Sequence, residues 1–275
     1  MQLDEKTLRG VQAVLLELLM EADRICRKCG IRYQIIAGTM LGAVRHGGFI
    51  PWDDDADIAL LRPEYERFRE ACRMELDTTR FVFQDHTLTD GYRWGYGKLR
   101  RRGTLFVRAH QEYMPYEQGI FLDVFPLDAV PQTRLGRAVV SAQCFAVRKL
   151  LWARVGREAD RSALRRAVYR ALDAVPERWA KAMLDALIRR AEARKTGWVR
   201  ILMFPTPNRQ YGYRASWYTG ERETVFEGRR LYGVSDADGY LRFKFGDYLT
   251  LPPPEERKSH PVSAIRLPAG GKEEP

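Results

Sequence analysis

Four aspartates stand within five residues at the start of an apolar stretch, in the segment PWDDDADIAL at residues 51–60. Carboxylates this close repel one another, and the repulsion destabilises a strand unless a cation binds between them. Side chains two positions apart point to the same face of a strand, so we expect Asp55 and Asp57 to bind one cation from one side of a sheet. An acidic turn or a helix cap is the alternative explanation. The segment therefore favours a strand that starts at a metal-binding carboxylate pair.

A second carboxylate occurs in the segment GIFLDVFP, residues 119–126, where Asp123 interrupts an otherwise apolar strand. A buried aspartate inside a sheet is costly unless it is paired or bound to a metal. If the two strands are neighbours, Asp123 completes a three-carboxylate site with Asp55 and Asp57. Oxygen ligands without a nearby histidine or thiolate favour Mg²⁺ or Mn²⁺ over zinc.

The loop before the acids contains groups that suit a phosphate. Gly38 and Thr39 directly follow an expected strand, and they are placed to open a short helix whose free N–H groups face an anion. Arg45 and His46 then supply cationic or hydrogen-bonding side chains. The loop matches neither the P-loop nor the GxGxxG pattern, so its phosphate role depends on the neighbouring acids.

The periodicity of the chain indicates an α+β fold. Apolar residues at helical spacing predict an amphipathic helix over residues 5–29, which Gly30 ends, and Pro63 opens a second helix. We expect a mixed sheet flanked by helices, because short strands and helices alternate up to residue 125. The predicted strands are residues 31–37, 57–61, 81–84, 94–99, 104–107 and 120–125.

The same pattern divides the chain into five parts. From Arg134 to Lys195 it becomes helical, and beyond about Phe204 it is rich in loops and aromatic residues. The predicted parts are an N-terminal helix at 1–30, a catalytic core at 31–133, a basic helical insert at 134–200, a C-terminal substrate-pocket segment at 201–262 and a disordered tail at 263–275.

Positive charge is concentrated in one part of the chain. Residues 134–200 contain 17 Lys and Arg residues and 6 Asp and Glu residues, whereas the formal net charge of the whole chain is +10. A localised basic surface suits an acidic partner such as phospholipid headgroups, nucleic acid or a polyanionic substrate. A solvated helical face explains the charge equally well.

The N-terminus has no basic region followed by an apolar stretch, and the apolar stretches are too short to cross a bilayer. We therefore expect a cytoplasmic protein. Cys26 and Cys29 form a CxxC pair without a second pair at a suitable spacing. Free thiols are the favoured interpretation, because structural zinc normally has four ligands.

Three segments of the chain resemble the LicD family, which has the nucleotidyltransferase fold and includes bacterial phosphocholine transferases and fukutin-related proteins. They occur in the family's order, and the first is highly specific. Ala56 departs from the pattern, because a larger β-branched residue is common there, and the basic insert is not part of the signature. The segments are GTMLGAVRHGGFIPWDDDADIAL at 38–60, GIFLDVFPLD at 119–128 and FGDYLTLPPPEERKSH at 245–260.

The resemblance implies transfer of a substituted phosphate, such as phosphocholine or a polyol phosphate, from a CDP-linked donor to a sugar hydroxyl of a glycan or glycolipid. It gives Asp55, Asp57 and Asp123 as the metal-binding acids. Our mechanistic hypothesis adds that one of the aspartates accepts the proton of the acceptor hydroxyl, with Asp123 as the first choice. Gly38 and Thr39 correspond to the pair that holds phosphate. Further substrate contacts are implied for Arg45, His46, Trp52, Asp53, Lys98 and Tyr248. In our mechanistic hypothesis Arg45 and Lys98 stabilise charge on the leaving nucleotide.

Two other functions remain open at this point. A nucleotidyltransferase that adds a nucleoside monophosphate to a small molecule would use the same acids. A basic module that binds nucleic acid or a membrane surface would need none of them, but no RNA-binding signature is present and we expect no specific nucleic acid partner. The basic helices are also suited to peripheral contact between the enzyme and the anionic inner face of a membrane.

Aromatic residues between the two acid segments offer one further interpretation. They are suited to enclose a quaternary ammonium group by cation–π contact. Packing in the core or at its rim is the alternative. The residues are Trp94, Tyr96, Tyr113 and Tyr116.

Overall fold

The first helix, α1 (Glu5–Cys29), begins at Asp4, whose carboxylate accepts a hydrogen bond from the Thr7 amide. It ends at Gly30, which adopts the left-handed conformation that favours glycine. The predicted helix over residues 5–29 is confirmed. The structure is a computed structural model that describes residues 3–206, 208–257 and 259–268.

Helices and short strands alternate along the rest of the described chain. The further helices are α2 (Ala37–His46), α3 (Arg62–Glu75), α4 (Arg134–Ala159), α5 (Ala163–Asp173), α6 (Glu177–Glu192) and α7 (Ala237–Phe245). The strands are β1 (Gln34–Ile35), β2 (Asp57–Leu61), β3 (Phe81–Gln84), β4 (Gly97–Arg101), β5 (Leu105–Arg108), β6 (Phe121–Ala129), β7 (Trp198–Arg200), β8 (Tyr213–Arg214), β9 (Arg222–Phe226), β10 (Arg229–Gly233) and β11 (Val262–Arg266).

The main sheet is mixed, as the sequence predicts. Its strand order is β3-β4-β6-β2-β1-β10-β9, and β7 and β8 extend it from the end of β6. The pairs β2–β6 and β1–β10 are parallel, whereas β1–β2, β3–β4, β4–β6 and β9–β10 are antiparallel. β5 and β11 form a separate antiparallel pair. The predicted α+β fold with a mixed sheet flanked by helices is confirmed.

Three helices occupy most of the predicted insert at 134–200, but its end is not helical, because Trp198–Arg200 form β7 and pair with β6. Two of the helices, α4 and α6, share a small apolar cluster with Val130 and Leu202, which lie outside the insert. In this cluster Val147 and Leu151 of α4 pack with Leu184 and Leu187 of α6. α5 packs on α4 through its one buried residue, Tyr169. The α6 residues Trp179 and Met183 are exposed, although the sequence pattern places them on the apolar stripe. Among the described residues, no helix combines the length and hydropathy that a membrane span requires.

Several predicted boundaries are wrong. The predicted strand at 31–37 is reduced to β1, because Ala37 already begins α2, and the predicted strand at 94–99 begins only at Gly97. Within the C-terminal segment, α7 was not predicted. The predicted disordered tail is wrong for its first residues, because β11 reaches Arg266 and pairs with β5. Residues 269–275 of that tail lie outside the described residues.

Candidate active site

The structure brings the predicted acids together at the centre of the sheet. β2 and β6 are parallel neighbours, and Asp57 is paired in register with Asp123. Asp55, Asp57 and Asp123 line one cavity of about 140 Å³, here called the acid cavity. The adjacency of the two strands, which the sequence left open, is therefore present.

Burial and mutual repulsion raise the pKa values of two of the carboxylates in the segment at 51–60. Burial raises the pKa of Asp57 well above its usual value, and the charges of Asp55, Asp123 and Asp53 raise it further. Burial also raises the pKa of Asp53, and the charge and hydrogen bond of Asp55 add to the effect. A proton or a cation in the cavity relieves this repulsion.

Lys98 lies beside Asp123 and outside the lining of the acid cavity. It is the register partner of Asp123 on β4, and its ammonium group forms a salt bridge with the Asp123 carboxylate. The ammonium also lies 3.3 Å from the centroid of the Phe121 ring. Burial lowers the pKa of Lys98 to about 7, and the charge of Asp123 partly opposes this.

Three further basic residues, which the sequence analysis did not assign to the site, line the acid cavity. They are Arg108, Lys244 and His260. Arg108 lies 3.6 Å from Oδ2 of Asp55, and its buried Nε has no hydrogen-bond partner in the described chain. Burial lowers the pKa of Lys244, and the charge of Asp57 opposes this. His260 Nδ1 lies 2.8 Å from Oδ1 of the buried Asp54. Two of these residues could have been found from the sequence, because the segment at 245–260 that carries the family resemblance ends at His260 and directly follows Lys244.

The loop before the acids positions them. The Asp57 amide donates a hydrogen bond of 2.8 Å to the Thr39 hydroxyl. Gly38 lies so close to Asp53 that a Cβ there would be 2.6 Å from Oδ2 of that aspartate. Ala37 is in the left-handed region with φ of 49°, and its amide donates to the Tyr240 hydroxyl. The first turn of α2 therefore lies at the acid cavity, where its N–H groups suit a phosphate.

The resemblance implies substrate contacts for Arg45, His46, Trp52 and Tyr248, but these four residues lie outside the lining of the acid cavity. Arg45 donates one hydrogen bond to the Tyr248 carbonyl oxygen and another to Nε2 of His46. His46 in turn packs edge-on against Trp52, with ring centroids 6.4 Å apart. None of these four side chains lines the acid cavity. They connect the end of α2 to the C-terminal segment that carries His260.

The donor set fits a hard divalent cation. Three aspartates with oxygen ligands face one cavity, and Asp57 has a raised pKa that a cation would lower. In the described ranges, no three His, Cys, Asp or Glu side chains are already arranged to hold a metal ion together. Two of the three carboxylates have basic neighbours instead, because Lys98 contacts Asp123 and Arg108 lies beside Asp55.

The proposed aromatic enclosure for a quaternary ammonium group is not supported. Three of its rings already contact the protein's own cations. Lys98 lies 5.3 Å from the Tyr96 centroid, Arg154 lies 4.5 Å from that of Tyr113, and Arg100 lies 5.8 Å from that of Tyr116. Trp94 and Tyr96 are buried, as the packing alternative predicts.

Comparisons with known proteins agree with this architecture. Residues 30–142 match the family described as LicD/FKTN/FKRP, nucleotidyltransferase domain. The chain is 26% identical over 263 residues to the lipopolysaccharide cholinephosphotransferase LicD of Haemophilus influenzae, covering 93% of this chain and 96% of that protein. A shorter stretch of 36 residues is 44% identical to the human ribitol 5-phosphate transferase FKRP, covering 13% of this chain and 7% of that protein.

Proposed function

We propose that this chain, which belongs to the LicD family, is a phosphotransferase that moves phosphocholine or a polyol phosphate from a CDP-linked donor to a sugar hydroxyl. The observation that carries the proposal is the shared cavity of Asp55, Asp57 and Asp123. Similarity to a cholinephosphotransferase over nearly the whole chain supports the class of reaction. The acceptor is then a glycan or a lipid-linked sugar.

The reaction requires positioning and charge neutralisation more than covalent chemistry. Asp55, Asp57 and Asp123 would hold Mg²⁺ or Mn²⁺, which supplies positive charge to the donor phosphates. The acceptor oxygen attacks the phosphorus that carries the substituent, the bond from that phosphorus to the bridging oxygen breaks, and CMP leaves. Asp123 accepts the hydroxyl proton in this proposal.

The chain's own cations have separate roles in this scheme. Lys244 and the first turn of α2 line the acid cavity and are placed to neutralise the donor diphosphate. This replaces the role of Arg45, which lies at the far end of α2. Lys98 and Arg108 contact Asp123 and Asp55, and they position these carboxylates.

The identity of the transferred group tests the proposal. Protein is incubated with Mg²⁺, a sugar acceptor and CDP-choline, CDP-ribitol or CDP-glycerol, and acceptor mass and released nucleotide are measured together. The proposal predicts that the acceptor gains the substituted phosphate and that an equal amount of CMP appears. Gain of a cytidine monophosphate group by the acceptor would instead identify a nucleotidyltransferase.

The insert supports a peripheral membrane contact as part of the proposal. α5 exposes Leu164 and Val168, which are 76% and 52% exposed and lie one turn apart. The opposite face of α5 packs on α4 through Tyr169, and Arg165 flanks the exposed apolar pair. A helix with basic residues beside an exposed apolar stripe suits the interface of an anionic bilayer.

A further inference from the structure

Two cavities with aromatic walls adjoin the acid cavity. The central aromatic cavity, about 560 Å³, is bordered by β4 and β5, and the outer aromatic cavity, about 420 Å³, is bordered by α4. Both volumes are in the range of small-molecule sites. Trp94, Tyr96, Trp152 and Phe204 line both cavities, and Phe204 also lines the acid cavity. The three spaces are therefore neighbours, and Phe204 borders all of them.

The side chains that line the two aromatic cavities carry positive charge, although three of the cations, Arg93, Lys98 and Arg108, pair with the carboxylates of Asp173, Asp123 and Asp55. Among the described residues, no aspartate or glutamate lines either of them. Their six Lys and Arg residues are Arg93, Lys98, Arg100, Arg108, Arg148 and Lys149.

Two of these cations, Arg100 and Lys149, donate only to neutral groups in the part of the chain that the structure describes. Arg100 is 4% exposed, and it donates to the Gln84 side chain and to the Gly119 carbonyl oxygen. Lys149 donates to the Tyr169 hydroxyl. Within the described chain, neither residue forms a salt bridge with a carboxylate. Because a buried guanidinium without a counter-ion is costly, an anionic ligand would stabilise this lining.

The aromatic walls suit a sugar ring. The Trp94 and Trp152 ring centroids are 5.5 Å apart at an angle of 49°, and Phe204 packs edge-on against Tyr96. The C–H groups of a sugar pack well on such negatively polarised ring faces. The surrounding cations exclude a positively charged group such as choline from the same space.

The position of the cavities relates them to the acceptor. The donor diphosphate is assigned to the side of the acid cavity formed by Lys244 and the start of α2. The central aromatic cavity lies on the other side, where Lys98 lines it and contacts Asp123. A hydroxyl that gives its proton to Asp123 approaches from that side.

We propose that the two aromatic cavities hold the acceptor, and that the acceptor is a sugar bearing an anionic group such as a phosphate. This inference rests on the proposed transferase function. The central cavity takes the sugar ring whose hydroxyl reacts, and Arg148 and Lys149 of the outer cavity bind the anionic group.

Ligand binding without turnover tests the proposal. Thermal unfolding is measured with glucose 6-phosphate, glucose or CMP as probes, using the full chain, the double variant Arg148→Gln/Lys149→Gln and a control. The control Arg189→Gln/Arg190→Gln removes the same charge from exposed positions on α6. We expect glucose 6-phosphate to raise the melting temperature of the full chain and of the control, and glucose to have a much smaller effect. In the cavity variant the dissociation constant should rise about tenfold.

Other outcomes overturn the proposal. An anionic acceptor site would be contradicted if glucose and glucose 6-phosphate raised the melting temperature equally. It would also be contradicted if the cavity variant bound glucose 6-phosphate as tightly as the unaltered chain, or if no binding occurred at millimolar concentration. Binding of CMP that only the cavity variant loses would assign the cavities to the donor nucleotide instead. The assay contains no donor, so a protein that binds glucose 6-phosphate as expected but transfers nothing would contradict only the proposed reaction.

Discussion

Asp57 and Asp123 are register partners on the parallel strands β2 and β6. With Asp55 they place three carboxylates in one small cavity, which explains why burial and like charge raise the pKa of Asp57. A fold stabilised only by its core would not place acids there, since the repulsion lowers its stability. The arrangement is therefore best explained by the cation and phosphates that we propose for this cavity.

The stability of the metal-free protein should fall as pH rises. The pKa of Asp57 is raised above 3.8 in the folded state, so the folded protein binds more protons than the unfolded chain above that pH. The free energy of unfolding then decreases from about pH 4 up to the raised pKa. Asp57→Asn should reduce this decrease and raise the melting temperature in EDTA at neutral pH.

The exposed Asp90 gives the matched control for this measurement. Asp90→Asn removes the same charge from a residue that does not line the acid cavity, and it should leave the dependence of melting temperature on pH unchanged. If Asp57→Asn and Asp90→Asn gave the same profile in EDTA, repulsion at the acid cavity would not be the cause.

The Thr39 hydroxyl should matter through Asp57. Thr39→Val leaves the Asp57 amide without its hydrogen-bond acceptor, which should lower the free energy of unfolding by about 1–3 kcal/mol and reduce the rate of transfer. Thr39→Ser keeps the hydroxyl and should retain both properties. Denaturant unfolding and initial rates measure them. Equal behaviour of the valine and serine variants would contradict this role.

Local sequence patterns predicted the elements that carry the acids, because β2 and β6 are apolar strands with carboxylates at defined positions. Arg108, Lys244 and His260 were missed because they come from β5, α7 and the loop before β11, which only tertiary packing brings to the cavity. β11 was missed because its pairing with β5 is also tertiary.

The position of Arg45 was missed for a different reason. The segment before the acids was interpreted mainly as a loop, although Gly38 and Thr39 were expected to open a short helix. In the structure α2 continues to His46, and a helix rises about 1.5 Å per residue, so Arg45 lies about 12 Å from Ala37 along its axis.

Arg45 should therefore affect stability more than substrate affinity. Arg45→Gln loses the hydrogen bond to the Tyr248 carbonyl oxygen, and we expect a loss of about 1 kcal/mol in the free energy of unfolding. The KM for the donor should stay within about twofold, which is less than 0.5 kcal/mol. A large rise in donor KM without loss of stability would restore the direct substrate contact that the resemblance implies.

The exposed face of α5 should govern membrane binding. Leu164→Glu/Val168→Glu should abolish sedimentation of the protein with vesicles that contain anionic lipid, because it removes apolar contact and adds negative charge. The control variant Met74→Glu/Leu88→Glu adds the same negative charge at exposed apolar residues outside the insert. It should sediment like the unaltered chain. Sedimentation that does not depend on anionic lipid content would contradict the membrane role.

The most direct test of the central claim is the rate of CMP release from a CDP-linked donor, measured against Mg²⁺ concentration in the unaltered chain, Asp57→Asn and Asp90→Asn. We predict that release requires Mg²⁺, that Asp90→Asn behaves like the unaltered chain, and that Asp57→Asn loses about a thousandfold or more in rate, which is about 4 kcal/mol in the barrier. Release that continues in EDTA, or that Asp57→Asn retains at a near-normal rate, would contradict a metal-dependent transferase built on these carboxylates.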